Sequence, residues 1–306
     1  MTVCVFGSIN IDVTAYLDRL PRPGETLHGH DYKLGLGGKG ANQAVAARKL
    51  GSDVRFIGRI GADDFGKAAE RELAAYGVDL SLIRRDPQGA TGIAIIKVGE
   101  GGENIISIVA GSNFAIDDSD VERGRTALQQ ASVLLLQLEV PLAASLHAAR
   151  IVRRHGGLVI LDPAPAPKDG LTPEILASVD IITPNETEAG LILGWQPKTL
   201  EDGLKAAKEL RARGVATAVV KLGSRGLAVA TEGAEAILPA FKVNAIDTVA
   251  AGDSFNGGLG HALENGLPML DALRYAAACG ALSTTRKGAS AAAPSRDEVE
   301  AFLARS

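Results

Sequence analysis

The run Asp247-Thr248-Val249-Ala250-Ala251-Gly252-Asp253-Ser254-Phe255-Asn256-Gly257-Gly258 places two acids around small and β-branched residues. It passes directly into a helical pattern. Backbone N–H groups at a helix start lack intrahelical partners and point toward any anion placed there. Ala250, Ala251 and Gly252 have no bulk to keep a phosphate away, so the turn suits negative charge developing on a transferring phosphoryl group. Asp253 in the same turn can accept the proton of an attacking hydroxyl. The plainer reading is that Asp253 only caps the helix. A carboxylate at a helix start is stabilised as an anion, which predicts a lowered pKa and a weak base. A loose phosphoryl-transfer transition state tolerates that.

Three further runs carry polar chemistry. In Gly35-Leu36-Gly37-Gly38-Lys39-Gly40-Ala41-Asn42-Gln43, the glycines at 35, 37 and 40 match a dinucleotide fingerprint mechanically. That reading needs an acid at the end of the next strand, and Asp53 lies before it. A Walker A loop fails because no Ser or Thr follows Lys39. Glycines, a Lys and an Asn opening a helix suit a polyol, with Lys39 and Asn42 bonding its hydroxyls. In Gly7-Ser8-Ile9-Asn10-Ile11-Asp12, at the end of the first strand, Asn10 and Asp12 alternate with apolar residues and share a face. They suit paired hydroxyls, or are simply a solvent-facing strand end. In Thr183-Pro184-Asn185-Glu186-Thr187-Glu188, Asn185 and Glu188 stand three apart at a helix start. They can order Mg²⁺ waters beside nucleotide phosphates, form a capping box, or both. Gln137 and Glu139 end another strand, and Glu139 is a sugar contact or a helix-start acid. The five histidines have no metal spacing, and no Ser-His-Asp arrangement can be placed.

The elements that must hold these residues read as α/β. Strands are expected at 3–6, 54–57, 133–138, 158–161 and 179–183, and a later hairpin at 216–221 and 226–230. Helices are expected at 41–50, from Asp63 or Asp64 to 76, and at 252–264, 268–285 and 296–304. Segment 17–34 reads as irregular, with Pro21, Pro23 and Gly24. Residues 92–98 and 104–109 read as a hairpin around 99–102. Strand–helix alternation implies a mainly parallel sheet covered on both faces, with ligands beyond the carboxyl ends of its strands.

Hydrophobic residues make up 46% of the 306, enough for a full core, while aromatics are only 4%, so aliphatic residues must fill it. The net charge of −4 and the scatter of basic residues argue against a nucleic-acid footprint. Residues 1–7 lack the charged start of a signal peptide, and no apolar run reaches the roughly 18 residues of a membrane span. Cys4 and Cys279 lie far apart in apolar segments and read as buried free thiols. A cytoplasmic protein is expected.

Together these runs resemble the ribokinase-like (PfkB) carbohydrate kinases, and within them the ribose-phosphorylating branch. The similarity extends over almost the whole chain and keeps the motif order. It implies a three-layer α/β/α sandwich with a mainly parallel central sheet and a small β-sheet lid, here about 11–34 and 91–109 of one domain spanning 1–306. It implies ATP-dependent phosphorylation of D-ribose to ribose 5-phosphate in a homodimer that shares the lid. Asn10, Asp12, Gly38, Lys39, Asn42 and Glu139 would contact the sugar. Asp253 would be the base, with Ala250, Ala251 and Gly252 lining the anion hole. Asn185 and Glu188 would serve Mg²⁺-ATP, and Gly223 and Ser224 would lie near its phosphates. A K⁺ site is implied at the Asp247 carboxylate and the carbonyls of Val249, Ser283, Arg286 and Gly288. The chain departs from the family at Ala292, where a Ser side chain is often found, and at Lys221, where a Thr is common. Lys221 reaches nucleotide phosphates or simply ends a strand. A kinase of the same fold for a nucleoside, a ketohexose or a keto-deoxy acid would keep the same Asp253 chemistry. A non-catalytic sugar sensor should have lost the base or the anion hole, and both are present.

Overall fold

The computed structural model describes residues 2–101 and 103–306. Its strands are β1 (Val3–Phe6), β2 (Asn10–Tyr16), β3 (Asp31–Gly37), β4 (Val54–Gly61), β5 (Ile83–Asp86), β6 (Gly92–Val98), β7 (Asn104–Val109), β8 (Val133–Leu136), β9 (Leu158–Leu161), β10 (Ile181–Ile182), β11 (Thr217–Lys221), β12 (Gly226–Ala230) and β13 (Glu235–Pro239). Its helices are α1 (Lys39–Lys49), α2 (Asp64–Ala75), α3 (Asp118–Arg123), α4 (Arg125–Gln130), α5 (Leu142–Arg154), α6 (Pro173–Leu176), α7 (Glu186–Leu193), α8 (Leu200–Ala212), α9 (Ala251–Glu264), α10 (Met269–Ser283) and α11 (Arg296–Leu303).

A nine-stranded sheet runs β13-β12-β11-β10-β9-β8-β1-β4-β5. It is parallel from β11 to β5, and β12 and β13 join antiparallel at one edge. The central strands are apolar throughout because both of their faces are covered. Period-two alternation divides their side chains between two cores. Val3, Val5, Val133, Leu135 and Ile160 pack with α1, α2 and α9–α11. Cys4, Phe6, Leu134, Leu136 and Leu161 pack with α3–α8. That is the three-layer α/β/α sandwich expected.

A second sheet, β3-β2-β6-β7, stands apart from the first. β2 pairs along its full length with β3 (antiparallel) and with β6 (parallel), and β6 with β7 as the expected hairpin. Gly102 of that hairpin's turn, like Met1, lies outside the described residues. All of β7 is exposed, with Ile106 52% and Ile108 54% accessible.

Several expectations need correction. Segment 17–34 is not irregular to its end, because β3 begins at Asp31. Its first four residues are exposed, so they carry no burial alternation, and pairing with β2 decides their state. Asn10 and Asp12 do not end the first strand but lie on β2. β4 continues past 57 because Gly58–Gly61 pair with β5, a strand not anticipated. β13 was likewise not anticipated, and only 181–182 of the expected 179–183 are strand.

The parallel strands end in one row. Ser8 follows β1 after Gly7, Gln137 follows β8, Asp162 follows β9, Thr183 follows β10, and Lys221 closes β11. Helices α1 and α9 lie side by side over this row. Gly257 permits that approach, because a Cβ there would sit 2.6 Å from Ala46 Cβ and 2.9 Å from the Gln43 carbonyl oxygen. Gly257→Ala is expected to destabilise the fold by about 1–3 kcal/mol by forcing the helices apart. Urea unfolding measures this, and an unchanged midpoint would show that the helix contact yields freely.

Candidate active site

Helix α9 opens at Ala250, whose φ of 56° makes it the one non-glycine residue in the left-handed region among the described residues. No side chain caps this end. In the turn Ala250-Ala251-Gly252 the Ala251 N–H donates to the Thr248 carbonyl at 3.3 Å, which leaves the Ala250 and Gly252 N–H groups as the donors of this helix start. Asp253 follows within the first helical turn and is 4% exposed.

The Asp253 carboxylate is gripped by α1. Asn42 Nδ2 donates to Oδ2 at 3.0 Å, and Gln43 Nε2 donates to Oδ1 at 3.2 Å. Gln43 Nε2 also donates to Asp162 Oδ2 at 3.2 Å, and Gln43 Oε1 accepts from Gln137 Nε2 at 2.7 Å. Asn42 Oδ1 accepts from Ser290 Oγ at 2.6 Å. Burial pushes the Asp253 carboxyl up to about 6. The Asp162 charge acts in the same direction, and Lys39, Asn42 and Gln43 act against it. The expected depression at a helix start is thus reversed, because desolvation outweighs the helix-end field and the donated hydrogen bonds.

The glycines around α1 serve packing. Gly38 is the N-terminal cap residue at φ 86°, and its Cβ would lie 2.8 Å from the Asn10 nitrogen. A Cβ on Gly40 would lie 2.6 Å from the Ser8 nitrogen. Gly37 makes room for the Asp12 carboxylate, whereas Gly35 faces open space. The missing side-chain cap of α1 is supplied from the loop after β8. Glu139 Oε2 accepts from the Lys39 N–H at 3.0 Å and from Ser8 Oγ at 2.6 Å. Asn113 Oδ1 accepts from the Ile9 N–H at 2.9 Å, and its Nδ2 donates to Asn10 Oδ1 at 2.8 Å. This leaves the Asn10 NH₂ as the free end of that side chain.

Asp12 is half-buried, and its pKa is pushed up to about 6 by burial and then by Glu139 and Asp253. For Lys39, burial opposes the charge. Asp253, Asp162, Glu139 and Glu188 together outweigh it and hold the ammonium above its usual range.

Beyond the end of β10, Asn185 and Glu188 form the capping box of α7. Glu188 N–H donates to Asn185 Oδ1, and Asn185 N–H to Glu188 Oε2, each at 2.8 Å. Burial and then Asp162 raise the Glu188 pKa, while Lys221 lowers it. Lys221 Nζ lies 3.2 Å from Asp162 Oδ1, and a Cβ on Gly252 would be 3.4 Å from that ammonium. Gly223 and Ser224 lie exposed in a turn just past β11.

Beyond the start of α9, Asp247 ties two loops together. Its Oδ1 accepts from the Val249 N–H at 3.0 Å and its Oδ2 from the Gly288 N–H at 3.1 Å. Ser283 closes α10, and Arg286 pairs with Glu298 at 2.7 Å. Ala292 is fully buried. Among the described residues, no group of three or more His, Cys, Asp or Glu side chains is placed to hold a metal.

The profile of the pfkB family carbohydrate kinases matches residues 1–296. The chain belongs to this family. A ribokinase of Haemophilus influenzae is 41% identical over 302 residues, covering 99% of this chain and 98% of that protein. A deoxyribokinase of Salmonella typhi is 35% identical, covering 99% of each. The structure of Arabidopsis thaliana ribokinase complexed with ribose and ATP superposes with a TM-score of 0.91 at 33% identity, covering 99% of this chain and 98% of that one.

The expected site residues of this pfkB-family chain fall into three groups. Asp12, Lys39 and Asn42 lie near Asp253, Glu139 holds the Lys39 N–H, and Gly38 abuts Asn10. Lys221 adjoins Gly252, with Asn185 and Glu188 beside Lys221. Asp247, Val249, Ser283, Arg286 and Gly288 lie in or beside two loops joined by the Asp247 carboxylate. The sequence reading assigned no role to Gln43, Asp162, Asn113 or Ser290. Asp162 had a usable signal, as a polar residue directly after a buried strand. Asn113 and Ser290 had none, since only the fold brings them to Asn10 and Asn42.

If Asp253 is the base, it works only when deprotonated, and kcat/KM is expected to fall as the pH drops through about 6. Lys39→Met removes the main opposing charge and should move this acid limb upward by roughly one unit. A pH–rate profile with an unmoved limb would refute the electrostatic role of Lys39.

Proposed function

We propose that the chain is an ATP-dependent ribose kinase forming ribose 5-phosphate. The observation that carries this reading is the buried Asp253 carboxylate at the first turn of α9, held by α1 amides beside the open Ala250–Gly252 turn. The family membership and the ribokinase relatives supply the substrates. The sugar lies among Asn10, Asp12, Gly38, Lys39, Asn42 and Glu139. Asp253 orients the attacking hydroxyl and takes its proton as the new O–P bond forms and the bond from the γ-phosphorus to ADP breaks. N–H groups of Ala250 and Gly252, and that of Ala251 on leaving the Thr248 carbonyl, receive the charge on the transferring phosphoryl. Lys221, Gly223 and Ser224 serve the nucleotide phosphates.

The donor set fits a divalent cation entering with the nucleotide. Asp12, Glu139, Asp162, Glu188 and Asp253 share this region with the Lys39 and Lys221 ammonium groups, and ATP brings further negative charge. Asn185 and Glu188 would hold Mg²⁺ through its waters, and the ion would neutralise phosphate charge. For K⁺, the Asp247 carboxylate brings the Val249 and Gly288 backbones together. The carbonyls of Val249, Ser283, Arg286 and Gly288 would complete the set, without a side chain from Ala292.

The small sheet acts as a lid over the sugar, since Asn10 and Asp12 lie on its strand β2. Residues 1–306 work as one kinase unit. The exposed apolar residues Leu34, Ile95, Ile105, Ile106 and Ile108 on that sheet suit a second copy in a homodimer. No helix among the described residues is long and apolar enough to cross a membrane. Both thiols are free and buried, in keeping with the cytoplasm.

ATP-dependent phosphorylation across ribose, 2-deoxyribose, hexoses and nucleosides, with Mg²⁺ and K⁺, tests the substrate. Ribose should give the highest kcat/KM, and another winner would reassign the substrate. Asp253→Asn should lower kcat by about 10²–10⁴-fold with sugar binding kept; unchanged turnover would sink the mechanism. Ile106→Glu should convert a dimer to a monomer in sedimentation, and an unaltered dimer would place the interface elsewhere.

A further inference from the structure

We infer that Asp162 is a positioning residue that parks the Lys221 ammonium at the first turn of α9 and releases it to the phosphates of an incoming nucleotide. The inference rests on the nucleotide-binding reading of that turn.

The pair occupies a defined place. Lys221 Nζ is 3.2 Å from Asp162 Oδ1, with both side chains largely buried. The same ammonium stands over Gly252, 3.4 Å from where a Cβ would be, and 5.7 Å from the Phe255 ring centre. It therefore lies between a carboxylate on β9's end and the N–H groups that open α9. The second oxygen of Asp162 is held by Gln43 Nε2 at 3.2 Å, so Asp162 keeps a partner when the ammonium leaves.

A lysine suits this transfer, being a compact charge on a flexible four-carbon stem. A phosphate entering the turn presents more charge than one carboxylate. The ammonium then exchanges one oxygen partner for another without passing through an unpaired buried state, which would be costly. A pair that stayed closed would behave differently. Its charges would cancel, and it would offer the nucleotide almost nothing.

That difference is measurable with Asp162→Asn, Lys221→Thr and the double variant. Calorimetry with ADP and with AMP, in Mg²⁺ and without sugar, gives the affinities. The double variant has no unpaired buried charge and should keep the wild-type melting temperature. It should bind ADP about 10- to 100-fold more weakly than wild type, because a charge-assisted hydrogen bond is lost. AMP, which lacks the outer phosphates, should be much less affected. Asp162→Asn alone frees the lysine and should tighten ADP binding several-fold, lowering turnover through slower product release.

The inference is overturned if the double variant binds ADP within about twofold of wild type, since this is what a permanently closed pair predicts. It is equally overturned if Asp162→Asn leaves ADP affinity unchanged or weaker. If Lys221→Thr fails to fold, the double variant still decides the matter. A wild type that binds ADP but phosphorylates no ribose would remove the ribose reading and leave this inference standing.

Discussion

Burying the Asp253 carboxylate is the constraint around which the site is arranged. A carboxylate removed from water requires donors, and Asn42 and Gln43 supply them from α1. Those amides reach Asp253 because α1 and α9 pack side by side, with no room for a side chain at Gly257. Helix α1 is fixed in turn at its N-terminal end, where Glu139 and Ser8 take the orphan N–H groups that its own cap residue leaves unpaired. One carboxylate thus sets demands on two helices, two strand ends and the first loop. The outcome is a carboxyl whose pKa is raised to about 6 by burial, the range the proposed base role calls for.

Charge is the second theme. The cleft holds more carboxylates than ammonium groups, yet its ligand is itself anionic. The arrangement is coherent if cations arrive with the nucleotide and if the resident lysines are placed where phosphate oxygens go. Lys39 is surrounded by acids, and Lys221 stands at the opening turn of α9. The Gln43 amide links Asp253 to Asp162. The proposed sugar side and the proposed nucleotide side are thereby joined by one side chain.

Much of this was legible in the linear sequence where local chemistry is strong. The buried strands 3–6 and 158–161 are continuous apolar runs with no competing pattern. The hairpin 92–98 and 104–109 is β-branched on both sides of a glycine-rich turn. The acids, glycines and amides proposed for the site occur in compact runs, which is what made them candidates. What failed was local structure that depends on a neighbour. β3 and β5 exist through their pairing with β2 and β4. The lowered pKa expected for Asp253 considered only its own helix, not the layers that bury it.

The sequence by itself determined the α/β class, the two-sided cover of the central sheet and the short list of reactive side chains. These follow from composition, period and spacing, which are properties of the chain alone. The tertiary structure decided which residues share an environment. Asn113 reaches Asn10 across 103 positions, Ser290 reaches Asn42 across 248, and Gln43 bridges two acids more than a hundred positions away. Such contacts leave no local trace, because a hydrogen bond between distant residues imposes no periodicity on either segment. Desolvation is likewise a property of the assembled layers, and it sets the charge state on which the chemistry depends.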